Sequence, residues 1–316
     1  MQIKSEIASA TSGEVIESPR VRGGRRPGRA PILSGLILIL GLACSVAALA
    51  APATAAPQEI PQPESPSGVW NGQDGKPLPF QNHDEVLDYL RTAKVVHREP
   101  APEGINKPDV LTLEGNGIRA RAILRQVASE KRRIRIGERF YFHFFDSYAN
   151  ECAAYDLARE LGLGFVPPAV PRNIGGPGSL QIWIEGGRDA SDKNFRPRSP
   201  MGWMKQVWDK DLFDNLILNV DRNTGNMLVG DNDELWLIDH TRAFQPNGEL
   251  LAPEALQKIN RNVWDRLEAL SDDQLRDVVR EFLQPDQVEG LIKRRELLQE
   301  KVGELVAKSG EGAVFY

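Results

Sequence analysis

The chain is poor in the residues that build covalent and metal scaffolds. It has two cysteines, Cys44 and Cys152, and four histidines in 316 residues. Two cysteines so placed exclude a disulfide framework and any metal site that needs paired thiolates. His83, His97, His143 and His240 have no metal-ligand spacing, which excludes a histidine zinc site. Glycine-rich phosphate signatures are missing as well. Gly104 stands alone in "PEGINKP", with neither a Walker motif nor G-x-G-x-x-G around it. No internal repeat is visible, and no Asp, Glu, Lys or Arg occurs from Ala30 to Gln58.

That charge-free stretch holds the apolar run "PILSGLILILGLACSVAALAA", Pro31 to Ala51, with Arg22, Arg25, Arg26 and Arg29 just before it. Ala48-Leu49-Ala50 and Ala53-Thr54-Ala55 offer small-residue cleavage patterns after it. A basic flank, an apolar core and an Ala-x-Ala site read as a secretory signal peptide. The run is also long enough to span a bilayer uncut, with its basic end in the cytoplasm, so membrane anchoring through residues 31–51 stands beside it. Gly41 is a poor fit three residues before Cys44 and argues against a lipoprotein. Residues 1–29 form a basic leader, 30–56 the signal or anchor, and the body is expected outside the cytoplasm: periplasmic or secreted, or held at the membrane.

From residue 57 onward 33 basic side chains face 41 acidic ones. An acidic body argues against nucleic acid as a partner. Residues 57–80 are rich in Pro, Ala, Gln, Ser and Gly and suit an extended linker. Order is expected near His83, where "HDEVLDYLRTA" has helical spacing. Short β signals follow at "KVVH", "DVLTL", "IRARAILRQV" and "RFYFHFF", with Asn116-Gly117 as hairpin chemistry. Along the third, Ile118, Ala120, Ala122 and Leu124 share one face, and Arg119, Arg121 and Arg125 the other. "DSYANECAAYDLARELG" reads as a helix capped by Asp146 or Ser147 and ended by Gly162, and "SLQIWIE" as a strand. Later segments are mostly helical: "MGWMKQVWDKDLFDNLILN", a run opened by the capping box Ser271–Gln274, and a last helix to Gly310 whose Val288, Leu291, Leu298, Val302 and Leu305 suit core packing. A β-rich part followed by a helix-rich part predicts an α+β fold of two lobes, residues 81–185 and 186–316.

Between the lobe-two helix and the strand "LWLI" lies "NVDRNTGN", Asn219 to Asn226. Asn226 follows Asp221 by five residues and Asp239 follows it by eighteen. The apolar strand fixes the direction of Asp239, so Asn226 and Asp239 are able to converge on one hard cation through oxygen ligands. Asp221 is then free to orient a hydroxyl and accept its proton, the division of work that phosphoryl transfer requires. The same acids and amides also suit a plain turn.

The stretch from Phe213 to Phe244, "FDNLILNVDRNTGNMLVGDNDELWLIDHTRAF", resembles the catalytic region of the atypical protein-kinase-like superfamily, in its phosphoinositide-kinase-like, HipA-like and Golgi secretory-kinase-like groups. The resemblance is specific across this stretch, points to a bacterial-type branch, and implies a two-lobed protein-kinase-like fold with a small β-rich lobe carrying one helix. It makes Asp221 the catalytic base position and Asn226 and Asp239 the metal ligands. Asn223 replaces the motif histidine, His240 stands where the protein-kinase pattern has Phe, and the roles of Arg222 and His240 are left open. Glu151, early in its helix, fits the glutamate that holds a phosphate-binding lysine. Arg125 stands where the lysine belongs, an exchange that keeps charge but alters reach and shape; a solvated strand face is the other reading of Arg125. Lys107 is an alternative phosphate contact, and Glu185, which ends the strand before the inter-lobe hinge, is a further expected nucleotide contact.

These expectations amount to a phosphotransferase that uses ATP with Mg²⁺ or Mn²⁺ on a hydroxyl of a protein or small-molecule acceptor. The missing lysine motivates a second reading, a pseudokinase that acts as a nucleotide-binding or scaffold module. Nucleotidyl transfer at the same site is the third.

Overall fold

The computed structural model describes residues 70–102 and 106–316. The apolar run at 31–51 with its cleavage patterns, and Gly104, lie outside the described residues. Among those described, no helix is long and apolar enough to cross a membrane.

Order begins ahead of His83. Trp70 is buried, its ring 5.3 Å from Trp236 and 5.7 Å from His83, and Asn71 bridges to Pro77. One large aromatic anchors a stretch whose average composition reads as linker. Helix α1, His83–Thr92, is capped by the Asn82 side chain and buries Val86, Leu87, Tyr89 and Leu90. Strands β1 (Lys94–Pro100), β2 (Asp109–Gly115) and β3 (Ile118–Arg125) follow as a meander. Asn116 and Gly117 both take positive φ, 54° and 76°, which suits the tight two-residue hairpin that Asn-Gly predicts. Tyr89 ties α1 to this sheet, donating its hydroxyl to the Leu113 carbonyl at 2.7 Å.

Next comes a hairpin of which only the second strand is foretold by the sequence, β4 (Ala128–Ile136) with β5 (Arg139–Ser147), the latter at "RFYFHFF". It forms a two-stranded sheet of its own, packing Tyr141 and Phe144 against Leu218 with Val220 and Leu251 beside them. Helix α2, Ala149–Glu160, starts later than the expected cap: Tyr148 is the N-cap and makes no side-chain bond, while Asp146 and Ser147 remain in β5. Ser147 Oγ still accepts the Ala149 N–H at 3.2 Å, and Gly162 follows the helix with φ 75°. Strands β6 (Ala169–Asn173) and β7 (Pro177–Ile182) complete a five-stranded antiparallel sheet in the order β1-β2-β3-β7-β6. Both α1 and α2 pack on β6 and β7.

A short strand β8 (Arg188–Asp189) leads to α3, Pro200–Ile217, which is capped by Ser199 and starts on Pro200. Its C-cap, Leu218, is left-handed (φ 47°) and fully buried. Strands β9 (Met227–Val229) and β10 (Leu235–Leu237) join β8 in a three-stranded sheet. Helices α4 (Arg261–Ala269), α5 (Asp272–Val279), α6 (Pro285–Ser309) and α7 (Glu311–Val314) close the chain. The capping box Ser271–Gln274 is present at α5. On α6, Val288, Leu291, Leu298 and Val302 are buried in the main core with Leu305 packed against it, as a core stripe requires. Arg294 is fully buried on the same helix. It donates to the carbonyls of Leu216 (2.8 Å), Gln245 (2.8 Å) and Asn247 (2.5 Å), so it holds the C-terminal end of α3. Burial pushes its pKa down to about 9.

Candidate active site

The convergence of Asn226 and Asp239 is a consequence of strand register. β9 and β10 pair antiparallel, Met227 opposite Leu237, and the Ile238 N–H donates to the Asn226 carbonyl at 3.1 Å. Asp239 therefore emerges one residue past the point where Asn226 enters the hairpin. Its backbone is left-handed, φ 56°, a sparsely populated region for a residue other than glycine and one that recurs at functional sites.

The loop before β9 is both a turn and a site, with the two tasks divided among its amides. Asn223 does the turn work: its Oδ1 accepts the Gly225 N–H at 2.9 Å. Asn226 spends its amide nitrogen on the Asp221 carbonyl at 2.9 Å, which leaves its oxygen for another partner. Arg222, buried beneath, joins the pieces. Its Nε donates to both oxygens of Asp214 (3.2 and 3.1 Å), its Nη1 to the carbonyls of Asn226 (2.8 Å) and Ile238 (2.9 Å), and its Nη2 to His240 Nε2 (2.9 Å).

Arg125 does not belong to a solvated face. It is 5% exposed, with Nε 3.6 Å from Glu151 and 3.8 Å from Asp239. Its Nη1 donates to Gln181 Oε1 at 3.2 Å, and both ion-pair distances are longer than a direct hydrogen bond, so the guanidinium retains donors toward the cleft it lines. Its place also depends on Gly178 of β7, where a Cβ would lie 2.6 Å from the Arg125 carbonyl oxygen. Glu151 is fully buried. Burial alone would raise its pKa, but Arg125 and the hydrogen bonds from His240 outweigh that and bring it down to about 2. His240, also fully buried, is held below its ordinary value by burial, against the upward pull of Glu151.

Arg121, Arg125, Trp183, Asp221, Asn226 and Asp239 all line one cleft of about 580 Å³. Asp221 is partly exposed, and its Oδ2 accepts from Arg242 Nη1 at 3.1 Å. Arg242 Nε donates to Asp146 at 2.9 Å, and Asn106 donates to the same carboxylate at 3.1 Å. Asp239 Oδ1 accepts from Thr241 Oγ1 at 3.0 Å. Two expected nucleotide contacts are placed differently. Lys107 is exposed, with φ 48°, on the loop between β1 and β2 and does not line the cleft. Glu185 is held by a two-pronged contact from Arg121, whose Nε lies at 2.8 Å; the Arg121 guanidinium sits 5.0 Å over the Trp183 ring.

Sequence reading missed Arg242, Asp146, Gln181 and Trp183. Arg242 and Asp146 are 96 residues apart and Gln181 and Arg125 are 56 apart, so no local pattern joins them. The signal that was available is a polar residue set between apolar ones: Gln181 stands between Leu180 and Ile182 and is 1% exposed.

Comparison with known proteins bears on the fold that carries this cleft. The family model described as Golgi casein kinase, C-terminal, Fam20 (Fam20C) matches residues 77–176, which include Arg125 and Glu151 and stop short of Asp221. No curated protein matches the chain. Among solved structures, hydra Fam20 with sugar superposes with a TM-score of 0.55 at 17% identity, covering 74% of this chain and 91% of that one. The Golgi casein kinase gives 0.54 at 15%, covering 74% and 77%. The same kinase with Mn/ADP bound gives 0.55 at 16%, covering 74% and 78%. At such identities the likeness is one of fold: an α+β, atypical protein-kinase-like fold.

Proposed function

We propose that this chain, with the fold of the atypical kinases, is a phosphotransferase that uses ATP and Mg²⁺ or Mn²⁺ on a hydroxyl of a protein or small-molecule acceptor. The observation that carries this reading is the meeting of Arg125, Asp221, Asn226 and Asp239, drawn from separate elements, in one cleft of about 580 Å³. A relative of the same fold with Mn/ADP bound supports the cofactor class.

The donor set fits a divalent cation that arrives with its nucleotide. Among the described residues no group of three or more His, Cys, Asp or Glu side chains is placed to hold a metal. What is present is one amide oxygen, on Asn226, and one carboxylate, on Asp239. A hard cation such as Mg²⁺ is held by one or two such groups with phosphate and water in its remaining positions. When bound, it neutralises charge on the transferring phosphate. Arg125, steadied by Gln181 and Glu151 and lying beside Asp239, binds the nucleotide phosphates. Asp221 orients the acceptor hydroxyl and takes its proton as the oxygen bonds to the γ-phosphorus. The bond to the bridging oxygen breaks and ADP leaves with the electron pair. Arg242, between Asp146 and Asp221, positions the base. The charge-free run at 31–51 supports a body that works outside the cytoplasm, exported or anchored.

The pseudokinase reading has its own observation. Arg125 lies 3.8 Å from Asp239, so a guanidinium already neutralises the carboxylate assigned to metal. One experiment separates the readings: incubate the full chain with γ-labelled ATP, Mg²⁺ or Mn²⁺, and protein and small-molecule acceptors. Transfer that vanishes in Asp221→Ala and Asp239→Ala supports the phosphotransferase. Binding without transfer supports the pseudokinase. No nucleotide binding with either metal sinks the phosphotransferase and leaves only a scaffold that works without nucleotide.

A further inference from the structure

His240 stands where nucleotide chemistry as usually described has no use for a polar side chain, yet every polar atom of its ring is engaged. It is fully buried between two groups of opposite charge. Arg222 Nη2 lies 2.9 Å from Nε2, and Glu151 Oε2 lies 3.3 Å from Nδ1. A guanidinium has only donors, so Nε2 is the acceptor and carries no proton. An ionised carboxylate has only acceptors, so the proton sits on Nδ1 and points to Glu151. The partners alone therefore fix one neutral tautomer. The backbone of the same residue adds a third bond, its N–H to Glu151 Oε1 at 2.5 Å.

The arrangement has a direction. Arg222 is anchored in the loop that carries Asp221 and Asn226, through Asp214 and the Asn226 and Ile238 carbonyls. Glu151 faces Arg125 at 3.6 Å. Among the described residues, His240 is thus the one side chain bonded both to the loop's anchor and to the partner of Arg125. A phenylalanine would fill the same volume but leave Arg222 Nη2 without that acceptor and Glu151 Oε2 with only the longer contact from Gln181 Nε2, 3.4 Å.

We propose that His240 is a positioning residue that sets Glu151 against Arg125 and couples both to the loop of Asp221 and Asn226, so that the phosphate-binding and acceptor sides of the cleft are held in register. The proposal rests on the nucleotide-binding reading above for its functional consequence, but its structural half, the clamp on the start of α2, stands apart from it.

The test uses the full chain and the magnesium complex of a non-hydrolysable ATP analogue. Affinity is measured by calorimetry and α2 opening by amide hydrogen exchange at Asn150–Ala154. His240→Phe is expected to weaken the analogue about tenfold, the scale of one lost hydrogen bond to a charged group, and to speed exchange at the start of α2. His240→Gln, which keeps one donor and one acceptor, restores most of both. In an Arg125→Met background, His240→Phe should cost clearly less than in the parent chain, because the share carried through Glu151 is gone and only the share carried through Arg222 to the loop remains. An unaltered affinity in His240→Phe, or an equal loss in the Arg125→Met background, overturns the positioning role. Should His240→Phe not fold, His240→Asn, which keeps a donor toward Glu151 and is too short for Arg222, is read in its place. If the unmutated chain binds no analogue, the phosphotransferase reading fails on its own, and exchange alone decides the clamp. Unchanged exchange in His240→Phe refutes it; faster exchange reversed by His240→Gln upholds it.

Discussion

On the phosphotransferase reading most of the chemistry turns on Arg125, because it is the cation where related patterns have lysine and because its burial leaves it few alternative roles. Guanidinium and ammonium are not interchangeable here. Arg125 donates to Gln181 at 3.2 Å while lying against Glu151 and Asp239, a planar set of contacts that one point charge cannot reproduce. Arg125→Ala is therefore expected to weaken ATP binding by roughly 10- to 100-fold, the value of a charge-assisted hydrogen bond. Arg125→Lys should fall between the two, and titration of a fluorescent ATP analogue reads both. An unchanged affinity in Arg125→Ala would return Arg125 to a structural part. Lys107 provides the contrast: its neighbours Asn106 and Pro108 line the cleft but Lys107 itself is exposed and does not, so it should leave affinity within about twofold when changed to Ala, by the same titration. The meeting of Asp221, Asn226 and Asp239 in one cleft was legible in the sequence because they lie on one short loop-and-hairpin segment whose register is local. Its support was not, because Arg242 reaches Asp146, and Gln181 reaches Arg125, only through tertiary folding.

At the level of elements, α6 sets the ground on which the site stands, and Gly290 is its most exacting position. A Cβ there would lie 2.6 Å from the Pro246 carbonyl oxygen and 3.0 Å from Arg294 Nη1, the arginine that holds the C-terminal end of α3. Backbone cannot retreat as a flexible side chain can, so Gly290→Ala should cost about 1–3 kcal/mol despite its gain in helix propensity. Urea unfolding measures that loss; a neutral or stabilising result would mean that α6 shifts freely. Helices were the readable elements for a related reason: their caps and periodicity are local. Ser271 with Gln274, Pro200 after Ser199, and the stripe from Val288 to Val302 all say helix without help from the rest of the chain. β4 was unreadable because "ASEKRRIRI" belongs to a two-stranded hairpin in which most side chains meet solvent, so no alternation is imposed. β6, "AVPRN", is an edge strand with a proline, a combination that weakens any strand signal. Trp70 shows the limit of composition: one side chain, packed on Trp236, overrode a proline- and glycine-rich neighbourhood.

Over the whole molecule, buried ionisable groups pull the pH dependence of stability in opposite directions, and the balance is testable. His240 and His83 are held below their ordinary values by burial, so below about pH 6.5 the unfolded chain binds protons that the native chain refuses, and stability falls with pH. Asp156 works the other way. Burial raises its pKa to about 6, so between pH 6 and 4 the native chain takes up a proton that the unfolded chain does not, and stability is regained as pH falls. Asp209 and Asp211, raised by burial, add to this. Glu151, down at about 2, contributes stability that is fully present above about pH 4.5 and is lost as pH falls toward 2. The melting temperature should therefore change little from pH 7 to 5 and drop steeply below about 4.5. Asp156→Asn separates the contributions. At pH 7 it removes the cost of ionising a buried acid, roughly 2–3 kcal/mol, and raises the melting temperature. By pH 4 the native Asp156 is protonated anyway and the advantage fades. The variant should consequently lose melting temperature on acidification from pH 7 to 5 where the parent chain holds steady. Parallel curves for the two proteins, displaced by a constant amount, would show that Asp156 is ionised at little cost in the native state and that His240 and His83 are not balanced by it.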